Sequence, residues 1–221
     1  MNFNINFAIQ STFIMSEKDY LKDISEIKNM MNKSSRFISL SGLSGVLAGI
    51  YALVGAYIAN TMISNYGLKL TRYSTDRDLT PIEYQLMGIA LTILILSVLT
   101  GFILSKKKAQ KNGDSIWNIT SKRLLGNFLI PLITGGFFCI ILLQYKIIGL
   151  VAPVTLIFYG LALVNGSKYT LGDIKYLGIT NIILGLIATQ FIGYGLYFWA
   201  LGFGVMHIVY GTLMYLKYDR K

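Results

Sequence analysis

The chain holds one cysteine, one histidine and three prolines in 221 residues, and only 14% of it is charged. Each scarcity excludes something. A lone cysteine, Cys139, permits no disulfide within the chain; inside an apolar run it reads as a small buried hydrophobe. A lone histidine, His207, excludes a zinc or iron site built from several imidazoles of one chain. All ten acids lie outside the apolar runs, so neither an intramembrane proton relay nor a Ser-His-acid set at one depth can be assembled. Phosphate-cradling glycine motifs are missing as well. The expectation is a protein that is not an enzyme and holds no cofactor or metal.

The shortage of charge also decides the class. Soluble domains carry about a quarter charged residues, whereas this chain is 54% hydrophobic with a mean hydropathy of +0.57. An integral membrane protein is expected. The net charge of +10 would suggest nucleic acid in a soluble domain, but here the bases stand between apolar runs, so nucleic acid is not an expected partner.

Six runs are apolar and long enough to be transmembrane helices: about 37–62, 86–105, 125–143, 147–165, 176–192 and 196–216. Sixteen of the twenty Lys and Arg residues fall before the first run, after the last, or in the second and fourth gaps; the alternate gaps hold four. Such alternation places both termini in the cytoplasm by the positive-inside rule. Tyr194, Tyr197 and Trp199 suit the outer interface, and Trp117, Tyr169, Tyr176, Tyr215 and Tyr218 the inner one. The predicted fold is therefore all-α: a polytopic six-helix transmembrane bundle over 37–216.

Small residues recur at helical spacing. Ser41, Gly45 and Gly49 form one row of the first helix, beside Ser44, Ala48, Ala52 and Ala56. Gly204 and Gly211 flank His207 on one face of the sixth, and Gly178, Asn181, Gly185 and Ala188 share a face of the fifth. In lipid such faces mark close helix contacts, within one chain or between two copies. Gly55 is expected to face elsewhere. Pro131 and Pro153 predict local bends. Arg123–Gly126 resembles Lys175–Gly178, and Ile157–Gly160 resembles Ile208–Gly211, at nearly one offset; this suggests repeated helical hairpins.

Residues 16–36 read as a cytoplasmic amphipathic helix, capped by Ser16 with Tyr20, Ile24, Ile27 and Met31 as its stripe. It either lies on anionic headgroups of the inner face or docks a cytoplasmic protein. Residues 1–15 read as an extension or an alternative start, and 217–221 as a cytoplasmic tail. Asp76, Asp78 and Glu83 read as part of a solvated outer loop. Within the bundle, His207, Asn181, Asn127 and Thr134 are the candidate cavity or interhelical polar contacts. Asn181 is the expected partner of His207.

"SSRFISLSGLSGVLAGIYALVGA", "FYGLALVNGSKYTLGDIKYLG" and "FWALGFGVMHIVYGTLMYLKYD" resemble a family of flavobacterial-type integral membrane proteins without assigned activity. The resemblance covers the chain from about Met15 and implies a bacterial inner membrane. Two functions compete. One is a non-enzymatic structural or regulatory module whose basic face meets anionic lipid, a protein partner or a second copy. The other is a small permease, channel or lipophile-binding protein with a cavity in the bundle.

Overall fold

The computed structural model describes residues 21–25, 37, 39–65, 81–113 and 115–220. Met1–Ser35 and Arg36–Lys221 are separate compact units. In the first, residues 21–25 are helical and exposed. The remainder of the expected amphipathic helix, and the expected extension over 1–15, lie outside the described residues.

The described part of the second unit is all-α. Its helices are α1 Gly42–Asn65, α2 Pro81–Lys111, α3 Ile119–Gln144, α4 Ile148–Tyr169, α5 Ile174–Gln190 and α6 Gly195–Asp219. All but α5 are long and apolar enough to cross a membrane. With 17 residues, α5 reaches about 25 Å at 1.5 Å per residue, the short limit for a span. Helix ends differ from the apolar runs because hydropathy marks where oil ends, not where backbone hydrogen bonding ends. Thus α2 begins at Pro81, whose missing N–H costs nothing in a first turn. An Asn118–Ser121 capping box starts α3 six residues before its apolar run: Ser121 N donates to Asn118 Oδ1 (2.7 Å), and Asn118 N donates to Ser121 Oγ (3.0 Å). Pro153 likewise lies in the first α-helical turn of α4, just after the 3-10 turn Ile148–Leu150 that opens it, rather than in the middle of the helix.

Four helices make the interior. α4 lies along α5 and α1 along α6, while α2 packs on α1 and α3 on α4. The interior pairs approach through glycine. A Cβ added at Gly49 would lie 2.7 Å from the Gly204 carbonyl oxygen, and one at Gly211 would lie 2.6 Å from Val46 N. Gly45 is looser, at 3.3 Å from Gly211 Cα. Likewise a Cβ at Gly178 would meet the Gly160 carbonyl at 2.7 Å, and one at Gly185 the Pro153 carbonyl at 2.8 Å. Removing the side chain lets backbones come this close, which compensates for the weak hydrophobic drive between helices in lipid. Gly55 faces elsewhere, as expected: away from α6 and toward α2, where a Cβ would meet the end of the Ile93 side chain, so that face is packed too.

Charge ties the ends. Asp219 is not in a free tail: α6 continues through it, and its side chain is only 10% exposed. It accepts from Gly42 N (2.9 Å) and Ser41 Oγ (3.3 Å), while Lys108 Nζ meets its other oxygen at 2.5 Å and also donates to the Leu40 carbonyl at 2.8 Å. A carboxylate placed there suits the positive start of α1. This explains why α1 begins at Gly42, since the residues before it are held otherwise. Phe37 N donates to the Tyr169 carbonyl (2.7 Å), and Thr170 Oγ1 to the Phe37 carbonyl (2.6 Å). At the opposite end, Glu83 corrects the loop reading. It lies buried in the first turn of α2, with Oε2 3.5 Å from Lys146 Nζ.

Candidate functional site

His207 sits midway along α6, equidistant from Gly195 and Asp219, and is buried. Its Nδ1 is 2.9 Å from the Gly202 carbonyl oxygen, and its Nε2 is 2.7 Å from Tyr159 Oη. A carbonyl only accepts, so Nδ1 carries the proton. In the neutral ring Nε2 then accepts from the Tyr159 hydroxyl. Both imidazole nitrogens and the phenol are thereby satisfied by protein, which a polar group in an apolar interior requires. The partner is Tyr159 of α4, not Asn181.

Local backbone prepares this contact. Ala200–Met206 is a π-helical stretch of α6, a wider winding that recurs at functional sites. It includes Gly202, whose missing side chain leaves room for Leu156 and Asn181: a Cβ would lie 2.5 Å from Leu156 Cδ2 and 2.7 Å from Asn181 Oδ1. Aromatic rings surround the imidazole. Phe203 stacks on it with centroids 5.8 Å apart, Tyr159 lies 4.9 Å from Phe203, and Trp199 continues the row 5.0 Å from Phe203. Phe128 of α3 meets Tyr159 edge-on at 6.2 Å. Such pairs add about 0.5–1.5 kcal/mol beyond area burial.

The other polar candidates go elsewhere. Asn181 is completely buried on α5, against Gly202, but its Nδ2 donates to the Leu177 carbonyl of its own helix at 2.9 Å, and its Oδ1 has no partner. Asn127 donates within α3 to the Arg123 carbonyl (2.9 Å), and its own carbonyl accepts from Asn165 of α4 (2.8 Å). Thr134 is exposed and donates to the Ile130 carbonyl within α3 (2.8 Å). None of the three reaches His207. Of the candidate packing residues, Gly45, Gly49, Gly204 and Gly211 meet at the α1–α6 crossing, and Ser41 at its end binds Asp219. Sequence reasoning missed Tyr159, although one signal was available: its hydroxyl lies mid-run in an apolar stretch, at the depth of His207.

No group of three or more His, Cys, Asp or Glu able to hold a metal occurs among the described residues. Chemically, the mid-depth cluster has an acceptor and a donor already engaged with one another, and no carboxylate beside them. The His207–Tyr159 pair can fix helices, since its own donors and acceptors are engaged with one another and with the Gly202 carbonyl. No family model, curated protein or solved structure matches the chain.

Proposed function

We propose that this is a six-span protein of a bacterial inner membrane, with both termini in the cytoplasm, acting as a non-enzymatic structural or regulatory module. The observation that carries the reading is the closed hydrogen-bond chain from Tyr159 Oη through His207 to the Gly202 carbonyl. A transport pathway at this depth needs polar groups open to a passing solute, and these are engaged. In this reading α5 also spans, despite its 17 residues, and completes the set of six. A bilayer thins around a short helix at a fraction of a kcal/mol per Å.

The exposed bases at the ends of α2 and α3, Lys106, Lys107, Lys111, Lys122 and Arg123, form the face for anionic headgroups. The family resemblance supports the bacterial assignment, and the sixteen-to-four division of bases supports the orientation. Reporter fusions after Arg77, Lys111, Lys146, Lys168, Gly195 and Lys221 test it. The reading expects outside, inside, outside, inside, outside, inside. An outside signal at Lys111 or Lys221 would overturn it.

A further inference from the structure

A groove of about 510 Å³ opens between the first turn of α5 and the last turns of α6. Small-molecule sites span about 300–1,000 Å³, so this one has room for a ligand. Tyr176 lines it from α5, and Tyr210, Leu213 and Met214 from α6. Tyr210 and Met214 stand four residues apart, so they follow one another along one face of α6. Met214 is buried, whereas Tyr176 and Leu213 are exposed. The bundle therefore closes the groove on one side, and the other side is open to whatever surrounds the helices.

Asp173 and Lys217 give this wall one charge of each sign, 2.8 Å apart. They stand next to the end of α6 at Asp219, where the chain leaves its apolar span. Asp173 receives two bonds, from Lys217 Nζ and, at 2.9 Å, from Tyr218 Oη, and both end on Oδ2. Its Oδ1 takes part in no hydrogen bond among the described residues. Lys217 is 59% exposed and spends one of its three N–H donors on the pair. A phosphate therefore fits at Lys217, and an ammonium at Asp173, without breaking the bond between the two side chains. A purely anionic head would also meet the Asp173 carboxylate, and a purely cationic one the Lys217 ammonium; such like-charge contacts disfavour both.

We infer that this groove holds one acyl chain of a phospholipid whose head carries both a phosphate and a primary amine, with the phosphate on Lys217 Nζ and the amine on Asp173 Oδ1. The inference rests on the reading of α5 and α6 as membrane spans. It does not depend on which side faces the cytoplasm, which the reporter fusions read separately.

The probes are dioleoyl phosphatidylethanolamine and dioleoyl phosphatidylcholine, titrated onto the full chain in a neutral detergent and counted on the protein by native mass spectrometry. The two share chains, phosphate and net charge, so the basic residues at the ends of α2 and α3 do not separate them. Only the ethanolamine head donates N–H bonds. The expected result is a first ethanolamine lipid retained at about tenfold lower concentration than the first choline lipid, the size of a hydrogen bond to a charged group. Asp173→Asn keeps the acceptor but removes its charge, and should reduce that preference to about threefold or less. Lys217→Gln should weaken retention of both lipids. Leu213→Trp, a larger side chain at an exposed position of the wall, should fill the groove and remove the preference. Equal retention of the two lipids by the parent protein would overturn the inference, as would a preference that survives Leu213→Trp. If Asp173→Asn fails to fold, the parent comparison and Leu213→Trp decide alone.

Discussion

Glycine has one meaning in the interior of this protein and another at its flanks. At the α1–α6 and α4–α5 crossings, Gly49, Gly211, Gly178 and Gly185 each face backbone atoms that a Cβ would approach within 3.0 Å. On α2 and α3, Gly88, Gly101, Gly126 and Gly136 have nothing within 4 Å of such a Cβ. No residue of the most apolar stretch of α2 is buried, and Leu91, Leu94, Val98 and Phe102 are exposed along it. The interior helices are joined by backbone approach, whereas the flanking helices are attached by side chains and offer the rest of their surface to lipid. A small residue in a transmembrane run therefore marks a contact only when a partner backbone is opposite.

The largest effects should separate the two regions. Gly49→Leu and Gly211→Leu push against backbone that cannot yield, and each should cost about 3 kcal/mol or more. Gly45→Ala, with a looser contact, should cost less. Gly101→Ala and Gly126→Ala should be neutral or gain up to about 1 kcal/mol of helix propensity. Melting in detergent reads all five; equal losses in both regions would break the comparison.

The Asp219 clamp comes next, because it is where a flank is tied to the interior by charge. Asp219→Asn leaves Lys108 without its counter-charge, at about 2 kcal/mol, discounted from a fully buried pair because both groups keep some solvent. Proteolysis near Lys108 should accelerate in that variant. An unchanged digestion pattern would show that the clamp holds nothing.

A smaller effect is expected at mid-depth. His207→Leu strands the Tyr159 hydroxyl and should cost about 1–2 kcal/mol. His207→Gln should cost less, because an amide can still accept from Tyr159. Identical melting for the two variants would contradict the assigned hydrogen bond.

The smallest concerns Asp173, which receives Lys217 Nζ at 2.8 Å and Tyr218 Oη at 2.9 Å. The Lys217 bond chiefly, opposed by partial burial and aided by Tyr218, holds the Asp173 carboxyl below its usual range. A lowered folded value means stability that is present above the ordinary carboxylate range and lost as pH falls through the lowered value. The melting advantage of the parent over Asp173→Asn should thus be complete at neutral pH and shrink in acid. An advantage independent of pH would refute the ion pair as its source.

Much of the architecture was legible because it follows from period and composition. The apolar runs locate α1 to α6 to within a turn or two, and the spacing of Gly45, Gly49, Gly204 and Gly211 placed them on helix faces. What escaped depends on which residues meet across the bundle. Asn181 and Tyr159 lie on different neighbours of α6, and one-dimensional spacing does not say which reaches His207. Glu83 and Asp219 looked like solvated charges because hydropathy ends before the helices do. Gly101 and Gly45 are indistinguishable as letters; only the partner helix separates them.

The account stands on His207 and Tyr159 being bound to one another. A double-mutant cycle of His207→Leu and Tyr159→Phe, read by melting in detergent, measures that bond directly. The predicted result is a double variant less destabilised than the two single losses added together, by roughly 0.5–1.5 kcal/mol, since the second substitution removes a group already stranded by the first. Strict additivity would mean that the two side chains do not depend on one another, and the reading of this site as a fixed interior contact would fall.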